Sequence, residues 1–162
     1  MGELTVFKKY ELTSESITVG SPLYRIKALR SFGDVKCGDL GGFVASEKNL
    51  SHAGNCWVYN EARVYEEARV FQDARLSGNA RLYGNAFVSG DAHICGNVEV
   101  CGCIWIGDGG EVCGDTYLYG KYSMYLGRLK LDHGIWTRDI EMHNRTYLLS
   151  STLEMILVKY NV

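Results

Sequence analysis

Proline is nearly missing from this chain: Pro22 is the single example in 162 residues, so little in the sequence interrupts a succession of strands. No stretch reaches the roughly 18 apolar residues that a membrane-crossing helix requires. The opening "MGELTVFKKYELT" lacks the apolar run of a secretion signal, and a cytoplasmic protein without membrane attachment is expected. Charge excess is lacking too. A formal net charge of -2 with 22% charged residues argues against sequence-specific nucleic-acid binding and against an acidic mimic of nucleic acid. Without a secretion signal, the six cysteines (Cys37, Cys56, Cys95, Cys101, Cys103 and Cys113) are expected as free thiols.

What the chain has in quantity is glycine, 19 residues, set at intervals beside Asn and Asp. "GN" at 78 and 84 and "GD" at 90 and 114 are two-residue turns in which Gly takes a positive φ without penalty. Between the turns lies a strict period. Val58, Val64, Val70, Leu76, Leu82, Val88, Ile94, Val100, Ile106, Val112, Leu118 and Met124 follow one another at a spacing of six. Two residues before each of the first seven stands a small residue: Cys56, Ala62, Ala68, Ala74, Ala80, Ala86 or Ala92.

Small then large on one side of a strand, with a turn after each pair, is an inner face packing first at a tight corner and then along a flat wall. A set of ordinary hairpins would need loops of varying length and would lose this phase. The fold class expected is therefore all-β, a parallel β-helix in which three six-residue units make one 18-residue coil, with about four regular coils after an irregular first one.

The chain is expected as a single domain, 1–162, with a cap at each end, because an open β-helix exposes unpaired strand edges. Residues 1–34 read as an N-terminal β-hairpin cap, "KYELTSESITV" and "LYRIKALRSF" joined at "GS". Residues 35–126 form the β-helix; Val44 and Leu50 are again six apart, with two extra residues before Val58. From Val98 onward the small-residue rule fails, with Ile104, Thr116 and Tyr122 in that place, so the last coils are expected to distort. Residues 127–162 read as a C-terminal ββα cap, a hairpin turning at His143–Arg145 and a short helix capped by Ser150 or Ser151.

The segment "SFGDVKCGDLGGFVASEKNLSHAGNCWVY" (Ser31–Tyr59), followed by the repeats, resembles the YdcK-like members of the hexapeptide-repeat superfamily, found in bacteria and phages. The resemblance covers residues 10–126. It implies a left-handed sense for the β-helix, which the period alone does not decide, and it favours self-association as a trimer or dimer.

Residues flanking each aliphatic point outward, and residues 18 apart share a face, which gives three surfaces. The first carries Trp57, Tyr59, Arg75, Ser77, His93, Cys95, Glu111 and Cys113. The second carries Arg63, Tyr65, Arg81 and Tyr83, a patch suited to phosphates, carboxylates or stacked bases, or else a ladder neutralised by nearby acids. The third carries Phe71, Phe87, Trp105 and Tyr125, read as an apolar stripe covered by another subunit or by the C-terminal hairpin.

The function expected is a non-enzymatic binding protein, phage-encoded by resemblance, that sequesters a host protein or nucleotide signal. The alternative is an enzyme resembling hexapeptide acyltransferases, with His93 as base, and a structural scaffold is the third reading. His93 is the only histidine in the repeats, so the three-histidine zinc site found elsewhere on this fold is excluded. No cofactor and no metal are expected.

Overall fold

The regular spacing becomes ladders of very short strands. The computed structural model describes residues 7–125, 128–137, 140–143, 147–149 and 155–157. Its strands are β1 (Tyr10–Val19), β2 (Ser21–Ala28), β3 (Leu40–Val44), β4 (Trp57–Val58), β5 (Arg63–Val64), β6 (Arg69–Val70), β7 (Arg75–Leu76), β8 (Arg81–Leu82), β9 (Phe87–Val88) and β10 (His93–Gly96). After them come β11 (Glu99–Gly107), β12 (Glu111–Tyr125), β13 (Arg128–Thr137), β14 (Ile140–His143), β15 (Tyr147–Leu149) and β16 (Met155–Leu157). All pairings within the repeats are parallel, and the stack makes a solenoid of about 4 turns.

Three ladders run along the axis. β4, β7, β10 and the start of β12 make the first face, β3, β5, β8 and β11 the second, and β6, β9 and the end of β11 the third. The inward column fills the interior: Ala62, Ala68, Ala74, Ala80, Ala86 and Ala92 are fully buried at the corners, and the aliphatics from Val58 to Val112 line the walls. Removing each of those aliphatics from water contributes about 1.5–3 kcal/mol before chain entropy is subtracted.

The turns carry a second regularity. A positive φ recurs every six residues from residue 60, first on Asn60, Glu66 and Gln72, then on glycines from Gly78 to Gly102. Close stacking explains the switch at Gly84: its φ is 68°, and a Cβ there would stand 2.8 Å from the Gly102 nitrogen. Two of the three non-glycine turns of the first regular coil, those at Glu66 and Gln72, are offset by hydrogen bonds to the next. The Glu66 Oε2 accepts from the Gly84 N–H at 2.8 Å and the Gln72 Oε1 from the Gly90 N–H at 2.6 Å.

The first coil is irregular, as expected. Val44 pairs with Val64 and Leu50 bridges Val70, two residues beyond the usual 18. A 3-10 turn at Glu47–Asn49, capped by Ser46, lies between Val44 and Leu50, and the extra length falls after it, between Leu50 and Val58. The buried Asn49 amide then donates to the carbonyls of Glu66 at 3.0 Å and Ala68 at 2.9 Å.

The N-terminal hairpin is present, β1 antiparallel to β2 with Gly20 at the bend, and β2 pairs antiparallel with β3. One side of it seals the end of the core with Tyr10, Ile26 and Ala28. His52 lies beneath: its Nδ1 accepts from the Lys9 N–H at 3.1 Å, its ring stacks on Tyr10 at 4.3 Å, and its Nε2 is 3.7 Å from the Glu47 carboxylate. Burial holds its pKa below 6.5, with Lys8 and Lys9 adding to that and Glu47 opposing it. Below that value the unfolded chain takes up a proton before the folded one, so stability falls as pH drops through this window. The urea midpoint should therefore be lower at pH 5.5 than at pH 7.5. His52→Asn, whose oxygen can replace the acceptor, should flatten the difference; an undiminished drop in that variant would show that another group titrates.

The C-terminal reading is corrected. In place of a hairpin and helix, β13 and β14 pair parallel with β12 and so prolong the ladders, and Met155–Leu157 is a strand antiparallel to β15. The open edge of the last coil offers unsatisfied backbone groups, and a chain returning 17 or 18 residues later satisfies them. The turn proposed at 144–146 and the cap at 150–151 lie outside the described residues. Distortion of the last coils is borne out: where the small corner residues end, two-residue strands merge into the nine residues of β11 and the fifteen of β12.

Candidate functional site

The outward columns fall on three faces, but the caps change which residues are open. Trp57, read as outward, is 1% exposed, because the N-terminal segment lays Tyr10 and Phe32 edge-on against its ring. Tyr59 beside it donates to the Asp34 carboxylate at 2.6 Å, and Arg75 stands 3.7 Å from the same group. Burial and that carboxylate push the Tyr59 hydroxyl well above its usual range, while the bond from Tyr59 holds Asp34 low.

Below this pair the first face opens into a cleft lined by Tyr59, Asp73, Arg75, Ser77, Asp91 and His93. Register sets its floor: β7 and β10 pair Arg75 with His93, which brings the His93 Nε2 to 3.2 Å from the Ser77 hydroxyl. On the far side, β10 and β12 pair His93 with Glu111 and Cys95 with Cys113.

Here the free-thiol expectation is corrected for two residues. Cys95 and Cys113 are joined by a disulfide, their Cα atoms 4.6 Å apart, while Cys37, Cys56, Cys101 and Cys103 are free. In-register neighbours on parallel strands are held at about the separation a disulfide needs. One donor atom from each of His93, Cys95 and Cys113 lies within 4.8 Å of the others, and all three residues are half-buried. The Glu111 carboxylate is 3.7 Å from the Cys113 sulfur.

On the second face the N-terminal hairpin covers part of the expected patch. Tyr65 is 7% exposed, covered by the outer side of the N-terminal hairpin through Leu23, Ile17 and Val19. It stacks on Tyr83, centroids 5.0 Å apart and planes 4° off parallel, so the facing sides of the two rings are closed to a base. Arg63 and Arg81 remain in a shallow cleft, with Glu61 and Glu99 beside them. Arg81 bonds Glu99 at 3.0 Å. The Arg81–Glu99 pair favours the neutralised ladder at that position, while Arg63 lines the cleft beside it. The signal for the cover was in the hairpin, where Ile17, Val19 and Leu23 alternate with polar neighbours.

On the third face Phe87 and Trp105 are in-register neighbours, 37% and 43% exposed, with the Trp105 indole donating to the Ser89 hydroxyl at 2.8 Å. Arg69 is the exposed partner of Phe87 on the other side. The stripe is two columns and not one: Phe71, half-buried, belongs to the column of Ser89 and Gly107, and the backbone of Tyr125 pairs with Gly107. The Tyr125 side chain lies outside the described residues.

No family model matches the chain, and no curated protein matches it. Among the described residues, no helix is long and apolar enough to cross a membrane.

Proposed function

We propose that this chain is a non-enzymatic binding protein whose third face docks a partner protein. The observation that carries this reading is the pair Phe87 and Trp105, adjacent in register and exposed on a rigid, flat ladder with Arg69 alongside. Aromatic rings and arginine held on a stiff backbone lose little freedom on docking, and such residues supply most of the binding energy at protein interfaces. The resemblance of Ser31–Tyr59 to YdcK-like proteins completes the proposal. It adds a left-handed sense, a bacterial or phage setting, and a host protein that the chain sequesters. Self-association through the same face is the competing occupant.

A Phe87→Arg/Trp105→Arg variant should keep the fold, because both side chains point outward, and should lose partner capture from the producing cell by at least 30-fold. Its mass in light scattering separates the two occupants: a wild type above 18.1 kDa that drops to monomer in the variant identifies a second copy. A partner held equally by both proteins rules this face out.

A second reading is favoured by the Ser77–His93 contact at 3.2 Å in the first-face cleft. A histidine base polarising a hydroxyl is the minimal apparatus of acyl transfer. Transfer from a thioester donor that disappears in His93→Ala, with partner capture intact, would move the assignment to the cleft.

A further inference from the structure

The group formed by His93, Cys95 and Cys113 shares His93 with the acyl-transfer reading, but neither reading uses its two sulfurs, and its chemistry is specific. On each of two in-register strands it uses residues two apart, so all four positions, His93 and Cys95 over Glu111 and Cys113, project from the same side of the sheet. The donor atoms of the first three already lie within 4.8 Å of one another. Tetrahedral zinc, with Zn–S near 2.3 Å and Zn–N near 2.0 Å, holds its donors ~3.5–3.8 Å apart, so only side-chain rotation is needed to close on an ion. The Glu111 carboxylate, 3.7 Å from the Cys113 sulfur, lies beside these three donors, and a fourth, oxygen ligand would come from it after side-chain rotation or from water.

We infer that this cluster is a redox-gated site for a thiophilic divalent cation of the zinc class. In the oxidised state the Cys95–Cys113 bond occupies both sulfurs and the site is closed. A dithiol reductant opens it: two electrons and two protons pass to the disulfide, giving two thiols, and the reductant becomes a disulfide in turn. The cation then displaces both thiol protons to solvent and is held by two thiolates, a His93 ring nitrogen and an oxygen ligand. One nitrogen and two sulfurs select zinc over magnesium or calcium, which take oxygen ligands. The half-buried setting at the edge of the first-face cleft admits both the reductant and the ion.

Cobalt(II) provides the probe, because tetrahedral thiolate ligation gives strong visible bands and a thiolate-to-metal charge-transfer band. The full chain, reduced with a dithiol and desalted under argon, should bind one equivalent with these bands, and zinc should displace it. The oxidised protein should show neither band. His93→Ala should weaken binding more than tenfold, and Cys95→Ser/Cys113→Ser should abolish the charge-transfer band. Cys37→Ser/Cys103→Ser, which removes the exposed free thiols, should leave it unchanged. No band in the reduced wild type, a band that survives Cys95→Ser/Cys113→Ser, or equal binding by the oxidised protein would each overturn the inference. The oxidised and reduced wild type can be compared directly, so the test does not depend on any variant folding.

Discussion

Gly42→Ala is expected to destabilise the protein by about 3 kcal/mol, against about 1 kcal/mol for Gly20→Ala. The two glycines are there for opposite reasons. Gly20 has a φ of 71° and nothing within 4 Å of where its Cβ would be, so alanine there meets only the conformational cost of a left-handed residue. Gly42 has room in φ but none in space. A Cβ would fall on the Ala62 carbonyl oxygen and 2.7 Å from the Val58 side chain. A rotamer change could move the valine, but the carbonyl belongs to the next coil's backbone, and shifting it disturbs the β3–β5 pairing of Phe43 with Arg63. Urea unfolding of both variants checks the order. If Gly42→Ala proves no more costly than Gly20→Ala, the close approach of β3 to the first coil is wrong.

Lys9→Met is expected to cost about 2–4 kcal/mol, although it keeps the length of the side chain and removes a buried cation. The ammonium of Lys9 is fully buried between the N-terminal cap and the first coil. It donates to the carbonyls of Cys56 at 2.7 Å and Gly54 at 3.3 Å, touches the Cys56 sulfur at 3.2 Å and lies over the Phe32 ring at 4.9 Å. Burial lowers its pKa and raises that of Cys56, each partly offset by the other. Methionine leaves two carbonyls without a donor in a dry site, which is the expensive half of losing a hydrogen bond. Amide exchange in residues 50–58 should quicken along with the fall in the urea midpoint. A change below about 0.5 kcal/mol would show that water replaces the ammonium.

The β-helix was legible because inward positions answer to one requirement, volume, and volume leaves a period in the sequence. Ala80 and Leu82 could not be exchanged without opening a void at one place and a clash at the other. The N-terminal hairpin was legible as strands, but what it would cover was not. Trp57 and Tyr65 are outward by parity, and only the three-dimensional path of residues 7–35 buries them. For Cys95 and Cys113 the 18-residue separation placed the sulfurs on one face at the interstrand distance, and what was missed is that this distance suits a disulfide. The C-terminal strands were misread because their register with β12 slips from 17 to 18 residues past Gly114, which erases the phase that had marked the earlier coils. Met155–Leu157 is a short apolar run, and such a run carries no period with which to tell strand from helix.

The uniform interior has a further cost, which falls on folding. A coil threaded six residues out of step would still bury alanine at the corner and valine or leucine along the wall, so the core alone cannot reject it. Rejection comes from pairs that match only at 18. Asn79 bonds Asn97 at 2.9 Å, Arg81 bonds Glu99, and Cys95 meets Cys113; one step later these would face Cys103, Trp105 and Tyr119. The outward residues thus keep the winding in phase as well as forming its surfaces, and a variant that reshapes them for a new partner also removes marks by which the chain detects a mis-threaded coil.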